Sequence, residues 1–295
     1  MLSESLVENK SLKDFNSFRI ESFARYYAEV NEENISSLND FAKEKNLEII
    51  LLGGGTNVLF AKENLNALVL HFKDTQTINL DNDLLKVSAS YPLAKIMSFA
   101  TKESLANYEF LAGIPGTIGG AVCMNAGSSP KEKRYISDLF LRAKVFDFEN
   151  SKFKILEKVD MDFAYRNSIL QNKKYALLEV FLNAFQKDNS SLISENIKQI
   201  KMQKAKAQPD NSKNAGSIFK SVNGKSAGFY IEECGLKNFA IGDAVVSEKH
   251  ANWILNSGMC KGRDVLNLIS FIKEKVYEKF SITLETEIQI FGDKK

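Results

Sequence analysis

The sequence predicts an α+β protein. Strand-like and helix-like stretches are mixed along the chain without the regular alternation of a doubly wound sheet. The composition, 44% hydrophobic and 26% charged, is that of an ordinary globular chain. A length of 295 residues gives a prior of two or three domains and room for a sizeable core.

In chain order, helical spacing over Ile35–Lys45 leads into Leu47–Leu52, a short apolar run of buried-strand type. Leu65–Phe72 and Leu84–Ala89 are further strands, separated by the polar turn around Asp81-Asn82-Asp83. Leu93, Ile96, Met97 and Ala100 mark a helix over 92–105, and strands follow at Leu139–Phe148 and Ala176–Phe185. The polar cluster Lys187-Asp188-Asn189-Ser190-Ser191 is a composition break and is taken as a domain boundary. Beyond it, Leu192, Ile193, Ile197 and Ile200 share a helix face. After Gly262 the residues Val265, Leu266, Leu268, Ile269, Ile272, Val276, Tyr277 and Phe280 recur at three- and four-residue spacing, and a strand over Ile282–Phe291 closes the chain.

Charge excludes some partners. Lys+Arg 39 against Asp+Glu 37 leaves no basic field of the kind nucleic acid requires. The start, MLSESLVENK, has no basic region ahead of an apolar stretch, so no secretory signal is expected. Tyr175–Phe185 is too short and too polar to cross a bilayer, and no membrane insertion is expected. Cys123, Cys234 and Cys260 are widely spaced and read as reduced thiols; with only His71 and His250 beside them, no metal centre is expected. A monomer is one reading of the oligomeric state, which the residues leave open.

Two glycine clusters carry the chemistry. Residues 109–127 read EFLAGIPGTIGGAVCMNAG, with Gly113, Gly116, Gly119 and Gly120 unsuited to a core strand or helix. The earlier cluster is Leu52-Gly53-Gly54-Gly55-Thr56-Asn57. Backbone N–H groups in such turns can cradle phosphate or a polar ring edge. Alone, either cluster is more often a tight turn; together, with Thr56, Asn57 and Asn125 as neighbouring hydrogen-bonding side chains, they suggest a ligand long enough to reach both. The G-x-G-x-x-G fingerprint fails, because Val58 stands at its third glycine, and a P-loop ending at Gly224-Lys225-Ser226 fails because Phe219 stands where its first glycine belongs.

These motifs, with Tyr165-Arg166-Asn167-Ser168, NAGSIFK at 214–220, Tyr230–Asn256 and LETEIQIFG at 284–292, resemble the UDP-N-acetylenolpyruvoylglucosamine reductase family from Asn16 to Gly292. The resemblance implies an FAD-binding domain of the vanillyl-alcohol-oxidase (PCMH) type in two subdomains, 1–65 and 66–187. It also implies a substrate-binding α+β domain over 188–295, whose final strand returns Glu287 to the active site. It further implies non-covalent FAD, NADPH as hydride donor, a nucleotide-sugar substrate and a cytoplasmic enzyme of peptidoglycan synthesis. Gly53, Gly54, Gly55, Thr56 and Asn57 would take the FAD pyrophosphate. Gly113, Ile114, Pro115, Gly116, Thr117, Gly119, Gly120, Ala121 and Asn125 would lie against phosphates and isoalloxazine.

The implied reaction delivers hydride to an enolpyruvyl ether, so charge builds beside the carboxylate and a proton must reach the neighbouring carbon. Ser217 matches the family's proton donor, Arg166 the carboxylate clamp and Glu287 the catalytic glutamate. Tyr165 and Lys220 match substrate contacts. Read from the residues alone, Ser217 is equally a turn serine, Arg166 a structural arginine, and Glu285 and Glu287 share one strand face, so spacing does not choose between them. The family match chooses Glu287, expected to be hydrogen-bonded beside the substrate carboxylate. The chain departs from the family pattern after Ile20, at 128–132 and at Ser221-Val222, and between Arg166 and Ser217 it resembles the shorter subclass, lacking an extra tyrosine loop. The competing readings are another FAD-dependent oxidoreductase of the superfamily, acting on a sugar or alcohol, and a catalytically silent nucleotide-sugar binder.

Overall fold

The computed structural model describes residues 6–72, 77–127, 134–209 and 213–293. In chain order the elements are β1 (Leu6–Ser11), β2 (Phe23–Val30), α1 (Ile35–Glu44), β3 (Glu48–Leu52), β4 (Val58–Phe60), β5 (Asn64–Phe72), β6 (Ile78–Asp81), β7 (Leu84–Ser88), α2 (Leu93–Lys102), α3 (Ile118–Cys123), α4 (Ile136–Leu139), β8 (Phe140–Asp147), β9 (Lys152–Glu157) and β10 (Tyr175–Asn183). They continue as α5 (Ser190–Ala207), α6 (Ala227–Glu233), β11 (Ala240–Ile241), β12 (Ala244–Val246), β13 (Ile254–Asn256), α7 (Gly262–Phe280) and β14 (Gln289–Phe291). The chain is α+β, as its pattern predicts. It divides into two compact units: Met1–Val7, Tyr26–Gly54 and Ala67–Lys204 form one, and Glu8–Arg25, Gly55–Asn66 and Ala205–Lys295 the other.

The first unit holds a five-stranded sheet of order β6-β7-β10-β8-β9, together with β3 and most of β2 and β5. β3 and β5 run parallel, with Ile50 opposite Val69, whereas the five-stranded sheet is antiparallel throughout. β10 explains why residues 175–183 read as an unbroken apolar run. Ala176 and Leu178 pack with α1, Leu68, Leu70 and Phe146 in one core. Leu177, Val180 and Leu182 face a second core built from α2, α3 and α4. A strand covered on both faces has no polar side to alternate with.

α5 belongs to this first unit. Ile193 and Ile197 are its buried positions, and they pack into the same core as Ile96 and Met97 of α2. The polar cluster at Lys187–Ser191 therefore marks the entry to a helix, and the unit boundary falls later, between Lys204 and Ala205. The subdivisions 1–65, 66–187 and 188–295 do not coincide with the compact units. Residues 8–25 and 55–66 pack with the C-terminal segment, a long-range pairing that local composition cannot encode.

In the second unit α7 buries Val265, Leu268, Ile269, Ile272 and Val276 on one stripe. Leu266 is only partly buried and Tyr277 is exposed, so the helix's apolar face is narrower than its apolar content. Asp264 accepts from the Lys261 N–H at 2.9 Å, satisfying one orphan donor at the helix start. The closing strand is shorter than the sequence pattern suggests: only Gln289–Phe291 pairs, parallel to β4. Thr286 bridges instead to Phe219, and the chain bends at Ile288 as it changes partner. Glu287 thus lies just before the strand and not within it.

Candidate active site

In the first unit the two glycine clusters, about sixty residues apart in sequence, come together. A Cβ added to Gly53 would lie 2.9 Å from Thr117 Oγ1, and one added to Gly54 would lie 2.8 Å from Gly116 Cα. Gly54 and Gly116 can pass this closely only because neither carries a side chain, and Gly53 leaves room for the Thr117 hydroxyl. Gly116 has φ +105°, a conformation that a Cβ strains, and Thr117 caps α3 by accepting from the Gly120 N–H at 3.3 Å. Gly54, Gly113, Pro115 and Gly120 are exposed, leaving a strip of bare backbone.

Not every residue of the second cluster faces outward. Ala121 is buried in the core beside Ile118 and Val122, and Gly119 is packed so tightly on Ala89 that a Cβ would sit 2.9 Å from its carbonyl oxygen. Ile114 packs partly against the same core. The Asn125 side chain is engaged in scaffolding, its Nδ2 donating to Ala164 O at 3.0 Å and its Oδ1 accepting from the Ser137 N–H at 3.2 Å.

That Asn125 bond anchors the turn carrying Arg166. Ala164 and Asn167 exchange backbone hydrogen bonds at 3.1 Å each, and Arg166 between them adopts φ +54°. Ser168 Oγ donates to Cys123 O at 2.8 Å, and Gln171 Nε2 donates to Arg166 O at 2.9 Å. The turn is therefore tied directly to the end of α3. Arg166 is half-buried, its guanidinium carbon 5.2 Å from the Tyr165 ring centroid, and Tyr165 is exposed.

In the second unit Ser217 opens a segment held from both sides. Ile218 N–H donates to Asn252 O at 2.9 Å; Glu287 N–H donates to Ile218 O at 2.7 Å; Lys220 N–H donates to Glu285 O at 2.9 Å. Asn252, buried and absent from the sequence-based candidates, clamps Phe219 with both ends of its amide: Nδ2 to Phe219 O at 2.8 Å and Oδ1 from Phe219 N–H at 3.0 Å. Its only sequence signal was membership in the stretch 230–256 that resembles the family. Asn57 Nδ2 donates to Glu287 O at 3.3 Å, and Gln289 N–H donates to Asn57 O at 2.9 Å, joining the first glycine motif to the Glu287 segment. The two glutamates separate by environment. Glu285 is exposed and lies 3.3 Å from Lys220 Nζ, while Glu287 is half-buried.

His250 is part of the same scaffold, its Nδ1 accepting from the Asn252 N–H at 3.2 Å. Burial holds its pKa below the ordinary imidazole value, Lys237 adding to the effect and Glu232 opposing it. Nearby in this unit, Ser17 Oγ is buried with no hydrogen-bond partner among the described residues, and the Ser17 N–H donates to Gly55 O at 2.9 Å. Gly55 has φ +63°, and an added Cβ would lie only 2.0 Å from Phe15 O.

The backbone strip of exposed Gly54, Gly113 and Gly120 with half-buried Gly53 and Gly116 suits a flavin dinucleotide. Such a ligand offers anionic oxygens to N–H donors and a planar edge to unscreened backbone. Among the described residues no cluster of His, Cys, Asp and Glu could hold a metal ion, and no helix is long and apolar enough to cross a membrane.

Residues 25–155, spanning both glycine clusters, match the model of the FAD binding domain, which makes this an FAD-binding oxidoreductase by class. Residues 208–291 match the model of the UDP-N-acetylenolpyruvoylglucosamine reductase C-terminal domain. The chain is 35% identical over 295 residues to UDP-N-acetylenolpyruvoylglucosamine reductase of Desulforamulus reducens, covering 99% of this chain and 96% of that one. The reductase of Caldicellulosiruptor bescii is 37% identical over 291 residues, covering 97% and 91%. Among solved structures, the Thermus caldophilus enzyme superposes with a TM-score of 0.79 at 28% identity, covering 97% and 98%. The chain belongs to the UDP-N-acetylenolpyruvoylglucosamine reductase family.

Proposed function

We propose that this chain reduces UDP-N-acetylglucosamine enolpyruvate to UDP-N-acetylmuramate, with NADPH as electron source and FAD as carrier, and that Ser217, Arg166 and Glu287 serve the reaction. The observation that carries this reading is full-length membership in the family together with a backbone strip suited to FAD. FAD, when bound, supplies the hydride that adds to the vinyl carbon of the substrate. Everything else falls to the chain's own groups.

Gly53, Gly54, Gly113, Gly116 and Gly120 seat the cofactor through backbone donors. Arg166 binds the substrate carboxylate; its planar fork suits two-point contact and its charge is permanent. Charge that develops next to the carboxylate is then met by a fixed cation. Ser217 Oγ gives a proton to the carbon beside the carboxylate. A hydroxyl is a weak acid, so it serves only if held in line with a strongly basic centre; the backbone bonds of Ile218 and the Asn252 clamp on Phe219 restrict the segment to that end. Glu287, half-buried and fixed through its backbone N–H to Ile218 O, assists at the same carboxylate. Tyr165 and Lys220 contact substrate; Lys220 exchanges its surface pairing with Glu285 for the substrate diphosphate. The reaction takes place in the cytoplasm, where NADPH and the nucleotide sugar are made.

The test separates reduction of the cofactor from its use. Ser217→Ala is expected to leave NADPH-driven bleaching of the flavin at its normal rate and to slow reoxidation by the enolpyruvyl substrate by about 10²–10⁴-fold, the usual contribution of a positioned proton donor. Wild-type turnover from that variant would overturn the assignment. Purification without flavin, and no gain on adding FAD, would overturn the function.

A further inference from the structure

Trp253 is the one tryptophan of the chain, and it stands directly opposite Ser217 in an antiparallel bridge. The bridge is of the kind in which the opposed residues are not themselves hydrogen-bonded, since the neighbouring Ile218 N–H donates to Asn252 O. Opposed side chains in such a pair leave on one face, with Cβ atoms about 4.5–5.5 Å apart. The Trp253 and Ser217 side chains therefore leave the bridge on the same face, as direct cross-strand neighbours.

Its Nε1 is buried and has no hydrogen-bond partner among the described residues. An indole nitrogen only donates, and a buried donor in a native protein is almost always satisfied. Neighbouring donors of the turn have partners. Trp253 N–H donates to His250 O at 3.0 Å, Asn252 N–H to His250 Nδ1, and the Asn252 amide to Phe219. One donor beside Ser217 is left over, and a ligand is the natural acceptor.

We propose that Trp253 Nε1–H donates a hydrogen bond to an oxygen on the enolpyruvyl-sugar half of the substrate, making Trp253 a substrate-binding residue. This rests on the assignment of Ser217 as proton donor. The carbon that Ser217 protonates belongs to the enolpyruvyl group, so the oxygens within reach of the neighbouring indole are those of that group and the adjoining sugar. The uridine end is not expected to feel it.

Trp253→Phe keeps an aromatic ring and deletes the N–H together with the fused five-membered ring. In the FAD-loaded protein without NADPH, titration of wild type with the enolpyruvyl substrate should change tryptophan emission. In the variant, the substrate dissociation constant, read from the flavin absorbance, should rise about 2–10-fold, as loss of one neutral hydrogen bond implies. The affinity for UDP, which lacks the enolpyruvyl-sugar half, should stay within about 2-fold, and flavin content should match wild type. An unchanged substrate constant would overturn the proposal. Equal weakening of substrate and UDP, or loss of flavin, would also overturn it, by showing a packing role. Failure of wild type to reduce the substrate with NADPH would sink the functional reading instead, and the two failures are distinguishable.

Discussion

Gly54 and His250 illustrate how single residues answer to their packed surroundings. Gly54 faces Gly116 Cα at a distance no Cβ tolerates, and the atom it would strike is backbone, which cannot swing aside. Gly54→Ala is expected to cost about 1–3 kcal/mol of stability through overpacking. It should also weaken FAD binding, measured by equilibrium unfolding and by flavin fluorescence on reconstitution; unchanged flavin affinity would count against the backbone strip as the cofactor's seat. For His250 the sign follows from burial. Its folded pKa lies below the ordinary value, so the neutral form favours the fold. Stability is complete above about pH 6.5 and is lost as pH falls from there through the folded value. Protonation would also remove the Nδ1 acceptor for the Asn252 N–H. Urea unfolding at neutral and at mildly acidic pH should show this loss in wild type, and a smaller slope in His250→Gln.

The elements that matter most are those whose role is to present one residue. The segment Ser217–Lys220 has no strand of its own in the sequence pattern; it is defined by Asn252 on one side and Glu285–Glu287 on the other. Asn252→Ala leaves two buried Phe219 backbone groups unsatisfied, a cost of about 1–3 kcal/mol for each. It is expected to lower kcat more than it alters FAD binding, checked by comparing turnover with flavin content. The long helices were legible because one face repeats every three or four residues, whereas β11, β12 and β13, at two or three residues each, offer no such period. α5 was legible as a helix but not in its allegiance. Ile193→Ala should destabilise the first unit by about 2–5 kcal/mol, as loss of a core isoleucine does, seen as an early phase in thermal unfolding.

At the scale of the molecule, cofactor and stability are linked. FAD at about 100 times its dissociation constant should stabilise the protein by about 2.7 kcal/mol, readable as a melting temperature that rises with added FAD. Gly54→Ala should blunt that rise. The same scale is where sequence reading ran short. The glycine clusters, YRNS and NAGSIFK were all visible, and the family they resemble is the one to which the chain belongs. Residues 8–25 and 55–66 gave no sign that they pack with the C-terminal segment, because nothing local distinguishes a loop that stays from one that crosses over.

The sequence alone determined the α+β class, the helices and longer strands, and the two glycine clusters, since periodicity and glycine spacing are local properties of the chain; roles for Ser217, Arg166 and Glu287 came only from the family resemblance. Tertiary structure decided that Gly53 and Gly54 meet Gly116 and Thr117, that Glu285 is exposed while Glu287 is half-buried, and that Asn252 and Trp253 flank the Ser217 segment. These are contacts between positions about thirty or more residues apart. Their existence depends on chain closure and on buried hydrogen bonds that no window of sequence contains.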